Sequence, residues 1–75
     1  MIREEEKIRD KLKFFTDEKV PMHITMKPFI GSLGKFYNGV VKEFRENCVI
    51  FEDEKIGETM LFYSEISYVE RRIPK

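Results

Sequence analysis

Arg45 and Asn47 are the residues of this 75-residue chain whose types and spacing best suit recognition chemistry. They flank Glu46 at the short turn between two expected strands, Lys35–Arg45 and Cys48–Asp53. A guanidinium can stack on a base or hold a phosphate, and a carboxamide can hydrogen-bond a base edge. The same turn has a plainer account, because Asn tolerates the left-handed backbone that tight turns use. Tyr63 offers either a stacking platform or an interface aromatic, and Tyr68 presents the same choice. Arg71, Arg72 and Lys75 make a short basic tail, whose copies would create a local positive field in an assembly.

Other chemistry finds little to work with. A catalytic centre would have to draw on Ser32, Ser64, Ser67, Cys48, the single His23 and surface acids, with no motif joining them. Gly31-Ser32-Leu33-Gly34 lacks the lysine and the following helix of a phosphate-binding loop. One Cys and one His provide no structural zinc set, and a lone Cys48 forms no internal disulfide. His23, on the polar face of its strand, reads as a surface residue, and Cys48 as a packed one. The sequence therefore predicts no catalytic residue, no metal site and no cofactor.

Composition narrows the partners. Lys plus Arg and Asp plus Glu both number 14, so the net charge is zero, without the basic surplus that nonspecific phosphate binding favours. The absence of Gln, Ala and Trp beside abundant Lys and Glu resembles hyperthermophile usage. No apolar run reaches spanning length, and Glu4, Glu5 and Glu6 are unlike a targeting peptide. With a single cysteine, these features predict a cytoplasmic protein without a membrane partner.

The elements that would position the candidates can be read from periodicity. One domain, 1–75, is expected, with a helix over 2–15 and a β-barrel over 20–71. Ile8, Leu12 and Phe15 form one helical stripe, too short to hold a helix in water unless it docks. Met22, Ile24 and Met26 alternate with His23, Thr25 and Lys27 in a first strand, Val20–Lys27. Residues 28–35 make a loop with apolar Phe29, Ile30 and Leu33. The second strand, Lys35–Arg45, carries Gly39 in its interior, a mark of close backbone approach. Val41 and Phe44 are then spaced by three, where a flat strand gives two, which predicts a bulge. Strands Cys48–Asp53, Thr59–Tyr63 and Ile66–Arg71 follow, with Ile24, Val41, Phe44, Ile50, Ile66 and Val69 expected in the core. The expected fold is mainly β: an N-terminal helix, then a five-stranded, strongly bent antiparallel SH3-like open barrel.

The fourth strand adds an expectation about behaviour. Met60, Leu61, Phe62 and Tyr63 are apolar on both faces, and a domain of this size has no second layer to cover both. Such a strand suits an edge that meets another copy. Met60, Phe62 and Tyr68 are the predicted interface residues. Folds this small bury only about 60% of their unfolded surface, so association is a natural extra source of stability.

Gly39-x-Val41-x-x-Phe44, the strand Cys48-Val49-Ile50-Phe51 and the closing Phe62-x-x-x-Ile66-x-x-Val69 resemble the Sm-like (Lsm) family, including the bacterial Hfq proteins, over roughly residues 2–70. The resemblance implies rings of six or seven copies in which strand four pairs with a neighbour's strand five. It also implies single-stranded RNA as a partner, with Arg45, Asn47 and Tyr63 as the candidate contacts. The family's Asp-x-x-Met-Asn segment departs here, with Arg45 in place of Asp and Val49 in place of Asn. Phe62-Tyr63-Ser64-Glu65 stands where Sm proteins carry Arg-Gly, and Phe62-Tyr63-Ser64 where Hfq carries Tyr-Lys-His. Two functions therefore stand open: an RNA-binding ring, and a structural or protein-interaction module that keeps the barrel without RNA. A monomeric SH3-like peptide binder is a third, which needs an exposed aromatic groove.

Overall fold

A computed structural model describes residues 4–28 and 35–72. Phe29, Ile30 and Leu33 of the apolar loop, Lys75 of the basic tail and the expected first helical residue, Ile2, lie outside the described residues. The elements run α1 (Glu4–Asp17), β1 (Met22–Met26), β2 (Phe36–Phe44), β3 (Cys48–Asp53), β4 (Gly57–Phe62), a one-turn 3-10 helix (Tyr63–Glu65) and β5 (Ile66–Arg71). The five strands form one open antiparallel sheet in the order β4-β3-β2-β1-β5, which leaves β4 and β5 as its edges.

Helix α1 buries the expected stripe of Ile8, Leu12 and Phe15, and packs on β5, the 3-10 turn and β2. Its first turn holds Glu4, Glu5 and Glu6, the charge sign that the helix dipole favours there. The helix runs past the expected Phe15 to Asp17, because its end is closed by backbone geometry rather than by composition. The Val20 N–H donates to the Phe15 carbonyl at 2.9 Å and the Lys19 N–H to the Thr16 carbonyl at 3.0 Å. Lys19 supplies the left-handed residue at φ 58°, a position where glycine is usual. Val20 then packs on the same core as Phe15, completing the motif with an apolar contact.

The core takes residues from α1 and from every strand: Met22 and Ile24 of β1, Val41 of β2, Val49 and Phe51 of β3, Leu61 of β4, and Ile66 and Val69 of β5. Two breaks in register let these strands keep one apolar face. Val41 lies opposite Phe51 and Glu43 opposite Ile50, so Lys42 is the extra residue, and the predicted bulge accounts for the spacing from Val41 to Phe44. Along β5, Thr25 faces Tyr68 while Met26 faces Ile66, which makes Ser67 the extra residue between Ile66 and Val69.

Ile50 corrects one expectation. Val49 pairs with Leu61 and Phe51 with Thr59, which puts Val49 and Phe51 inward. Ile50, between them, turns to the other face opposite Met60 and is only half-buried. Phe44, also expected in the core, packs against its margin. Strand β4 begins at Gly57 rather than Thr59, since Gly57 pairs with Asp53 and closes the hairpin at φ 81°.

Asp53 is the buried polar residue of the core margin. One carboxylate oxygen accepts the Asn38 N–H at 2.9 Å, and the other accepts those of Lys55 at 2.8 Å and Ile56 at 3.1 Å. Burial alone would raise its pKa, but these three donors and the nearby Lys55 charge outweigh it and hold the group below the ordinary Asp value. The folded-state pKa thus lies under the unfolded one, so Asp53 stabilises the fold above the ordinary Asp range, and that contribution disappears as pH falls through the depressed value. Asp53→Asn should lower stability by about 1–2 kcal/mol at neutral pH. Urea melts at descending pH should show the gap between wild type and variant closing below about pH 4. A gap that stays constant to low pH would remove the carboxylate from this role.

Candidate functional site

The turn between β2 and β3 brings the three sequence candidates together. The Arg45 N–H donates to the Cys48 carbonyl at 2.8 Å and closes the turn over Glu46 and Asn47. From the other side, the Tyr63 hydroxyl donates to the Arg45 carbonyl at 3.0 Å, and the Tyr63 N–H donates to the Asn47 carbonyl at 3.1 Å. Arg45 and Asn47 present their side chains to solvent.

Tyr63 does not present its ring. It is 4% exposed and belongs to the core cluster, and burial pushes its phenol pKa up. The 3-10 turn that follows β4 aims the ring inward, so the stacking platform read from sequence is replaced by a strut beneath the Arg45–Asn47 turn. Arg45 is itself engaged: its Nε donates to the Glu43 carboxylate, which raises the guanidinium pKa. Beside the turn, a cavity of about 160 Å³ is lined by Glu5, Glu6, Arg9, Glu46, Asn47 and Tyr63. Three carboxylates against one guanidinium make this a negative surrounding, unfavourable to a phosphate.

The predicted interface residues fall on the two edges of the sheet. Met60 and Phe62 of β4 are 45% and 41% exposed, on the face away from the core. Register carries that apolar face inward along the sheet, with Met60 opposite Ile50 and Phe62 opposite Cys48. Around it, Lys42 bridges Glu58 at 3.4 Å and Glu52 at 3.9 Å. Tyr68 lies on β5, the opposite edge, and is also half exposed. Its hydroxyl donates to Glu70 at 3.2 Å, and the Lys11 ammonium of α1 sits 5.6 Å from its ring centre.

A third region escaped the sequence reading. A groove of about 610 Å³ is lined by His23, Phe36, Asn38, Lys55, Glu70, Arg71 and Arg72. His23 Nδ1 donates to Asn38 Oδ1 at 2.6 Å, and its ring lies 5.3 Å from that of Phe36, itself 59% exposed. Strand alternation could have signalled part of this, since His23 is registered with Asn38 and Thr25 with Phe36 on one face. Lys55 carried no such signal, because the Asp53 clasp of the β3–β4 turn brings it there. Arg72 is fixed by Glu54, whose two oxygens accept from Nε at 2.6 Å and Nη2 at 2.9 Å.

Comparison with protein-family models, with curated proteins and with solved structures gives no match for this chain. Among the described residues, no group of three or more His, Cys, Asp or Glu side chains is placed to hold a metal ion, and no helix is long and apolar enough to cross a membrane. The sites above are therefore read from their own chemistry.

Tyr63→Phe tests the strut. The variant keeps the ring in the core and removes one hydrogen bond, so stability should fall by about 1 kcal/mol. Amide hydrogen exchange should quicken at 45–48, which a purely packing role for Tyr63 would leave unchanged.

Proposed function

We propose that this chain is an Sm-like barrel whose function is that of a self-assembling interaction module, with copies joined through β4 and β5. The supporting observation is the strand order. The two strands that the Sm resemblance assigns to ring contacts are the two whose outer edges have no partner strand in this sheet. Edges of this kind present unpaired N–H and C=O groups and invite pairing by another chain. Met60 and Phe62 add an exposed apolar surface to β4, and Tyr68 adds an aromatic to β5. A β4-to-β5 contact is heterologous, and heterologous contacts close into rings when the rotation permits. A hexamer or heptamer is the assembly that the resemblance implies.

Binding of single-stranded RNA by the ring is the second reading. One observation favours it: Arg45 and Asn47 stand exposed on one braced turn, which an assembly would repeat in every copy. The neighbouring Glu43, Glu46, Glu5 and Glu6, and the buried Tyr63 ring, favour the module without RNA.

Sedimentation equilibrium tests the assembly. At high salt, wild type should run as an oligomer at micromolar concentration, and Phe62→Asp as a folded monomer. Phe62 is outside the core, so the substitution spares the fold while placing an unpaired charge in each contact, at a cost on the order of 3 kcal/mol. A wild-type monomer would sink the module reading. Titration of the oligomer with oligo-U and oligo-A at two salt concentrations tests the second reading: RNA binding should weaken steeply with salt and fall in Arg45→Ala. Absence of binding to either oligonucleotide removes it.

A further inference from the structure

We propose that the groove around Phe36, Lys55 and Arg71 receives the acidic first turn of α1, Glu4–Glu6, from a second copy of this chain, so that copies dock head to tail. Its lining takes Glu70 and Arg71 from the end of β5 but none of Met60, Phe62 and Tyr68, and the contact does not depend on the ring. Zero net charge conceals an uneven surface. The groove lining has Lys55 and Arg71 against one carboxylate, Glu70, while the charge of Arg72 is matched by Glu54. The cavity at the start of α1 has Glu5, Glu6 and Glu46 against one guanidinium, Arg9. The two linings are opposite in sign.

Distance prevents one copy from satisfying itself. Helix α1 starts at the acidic cavity and, 14 residues later, ends just before Pro21, whose carbonyl accepts the Arg72 N–H at the groove. At 1.5 Å per residue that is about 20 Å. Strand β3 gives a second measure, running from beside Glu46 and Asn47 in the acidic cavity to the turn that carries Lys55. Six residues of strand again span about 20 Å. Glu4, Glu5 and Glu6 are exposed, and the ion pairs found among the described residues involve none of them, nor Arg71, while Lys55 lies near the Asp53 carboxylate. Arg72, held by Glu54, shapes one wall. The exposed Phe36 ring and the His23–Asn38 pair give a preformed floor on which glutamate methylenes can rest.

Docked head to tail, one patch of each copy meets the other patch of the next, a heterologous contact that extends as an open stack unless the rotation closes a ring. Contact between exposed charges is screened by salt, so the stacking should appear at low ionic strength and fade at high.

The experiment is a pair of charge reversals in the full chain, followed by sedimentation velocity at low and high salt. Glu5→Lys/Glu6→Lys reverses the helix end, and Lys55→Glu/Arg71→Glu reverses the groove. Each variant alone should lose the salt-sensitive association of wild type by at least about tenfold in affinity. Mixed in equal amounts, they should regain it, because each reversed patch then meets its complement. Repeating the set in the Phe62→Asp background separates the two contacts: edge assembly is lost there, and the salt-sensitive association remains. Wild-type mass independent of salt, or a mixture that fails to recover, would overturn the proposal. So would groove variants that keep self-association but lose oligo-A binding, an outcome that gives the groove to nucleic acid.

Discussion

A Cβ on residue 39 would lie 1.9 Å from the Glu52 carbonyl oxygen, and the rest of the sheet depends on the absence of that atom. The obstacle is backbone, so no side-chain rearrangement could make room. With glycine there, β3 closes on β2 at Gly39–Asp53, and the next pair, Val40–Glu52, keeps its register up to the Lys42 bulge. Close approach also puts the Asp53 carboxylate under the Asn38 N–H and, from the same group, under the turn that starts β4. Asn38, tied to Asp53 through its backbone, is then free to accept from His23 with its side chain. One missing methyl group thus links the sheet register, the β3–β4 turn and the floor of the groove.

The parts of this architecture that follow from side-chain period were legible in the sequence. The α1 stripe, the alternation of β1, the interior glycine and the bulge after Val41 each have a local cause and appear where expected. Boundaries and orientation depended on pairing, which no single segment encodes. Ile50 looks like its neighbours Val49 and Phe51, yet pairing with Met60 turns it outward. Tyr63 reads as the last residue of an apolar strand, but the 3-10 turn aims its ring inward and removes it from the candidate surface. Helix α1 outlasts its stripe because Lys19 accepts a left-handed backbone that its side chain disfavours. The groove was the least legible, since its lining comes from β1, β2, β5 and a turn far apart in the chain.

The core explains why the outer surface matters. Seventy-five residues without a disulfide must hold themselves together with one apolar cluster, and that cluster uses a single face of the sheet. The opposite face nonetheless keeps Val40, Met60 and Phe62 exposed, at positions where a solitary sheet would be expected to alternate to polar residues. The surrounding ion pairs of Lys42 do not offset this, because exposed pairs add little stability. Apolar side chains beside an unpaired edge have a physical rationale when the edge is covered, and little when it is not.

Charge follows the same logic at a different range. With 14 residues of each sign the chain has no net field to steer partners at long distance, so any electrostatic selectivity must come from arrangement. The acids of the α1 start satisfy the helix dipole locally, and Glu46 joins them only because Tyr63 braces the β2–β3 turn nearby. The bases of the groove gather for an unrelated reason, since β5 ends beside the turn that Asp53 holds. Each end is thus set by the fold, and about 20 Å of helix and strand keeps them apart. A neutral chain with its charges sorted in this way carries patches of opposite sign on one molecule, and that arrangement is what the proposed self-docking would use.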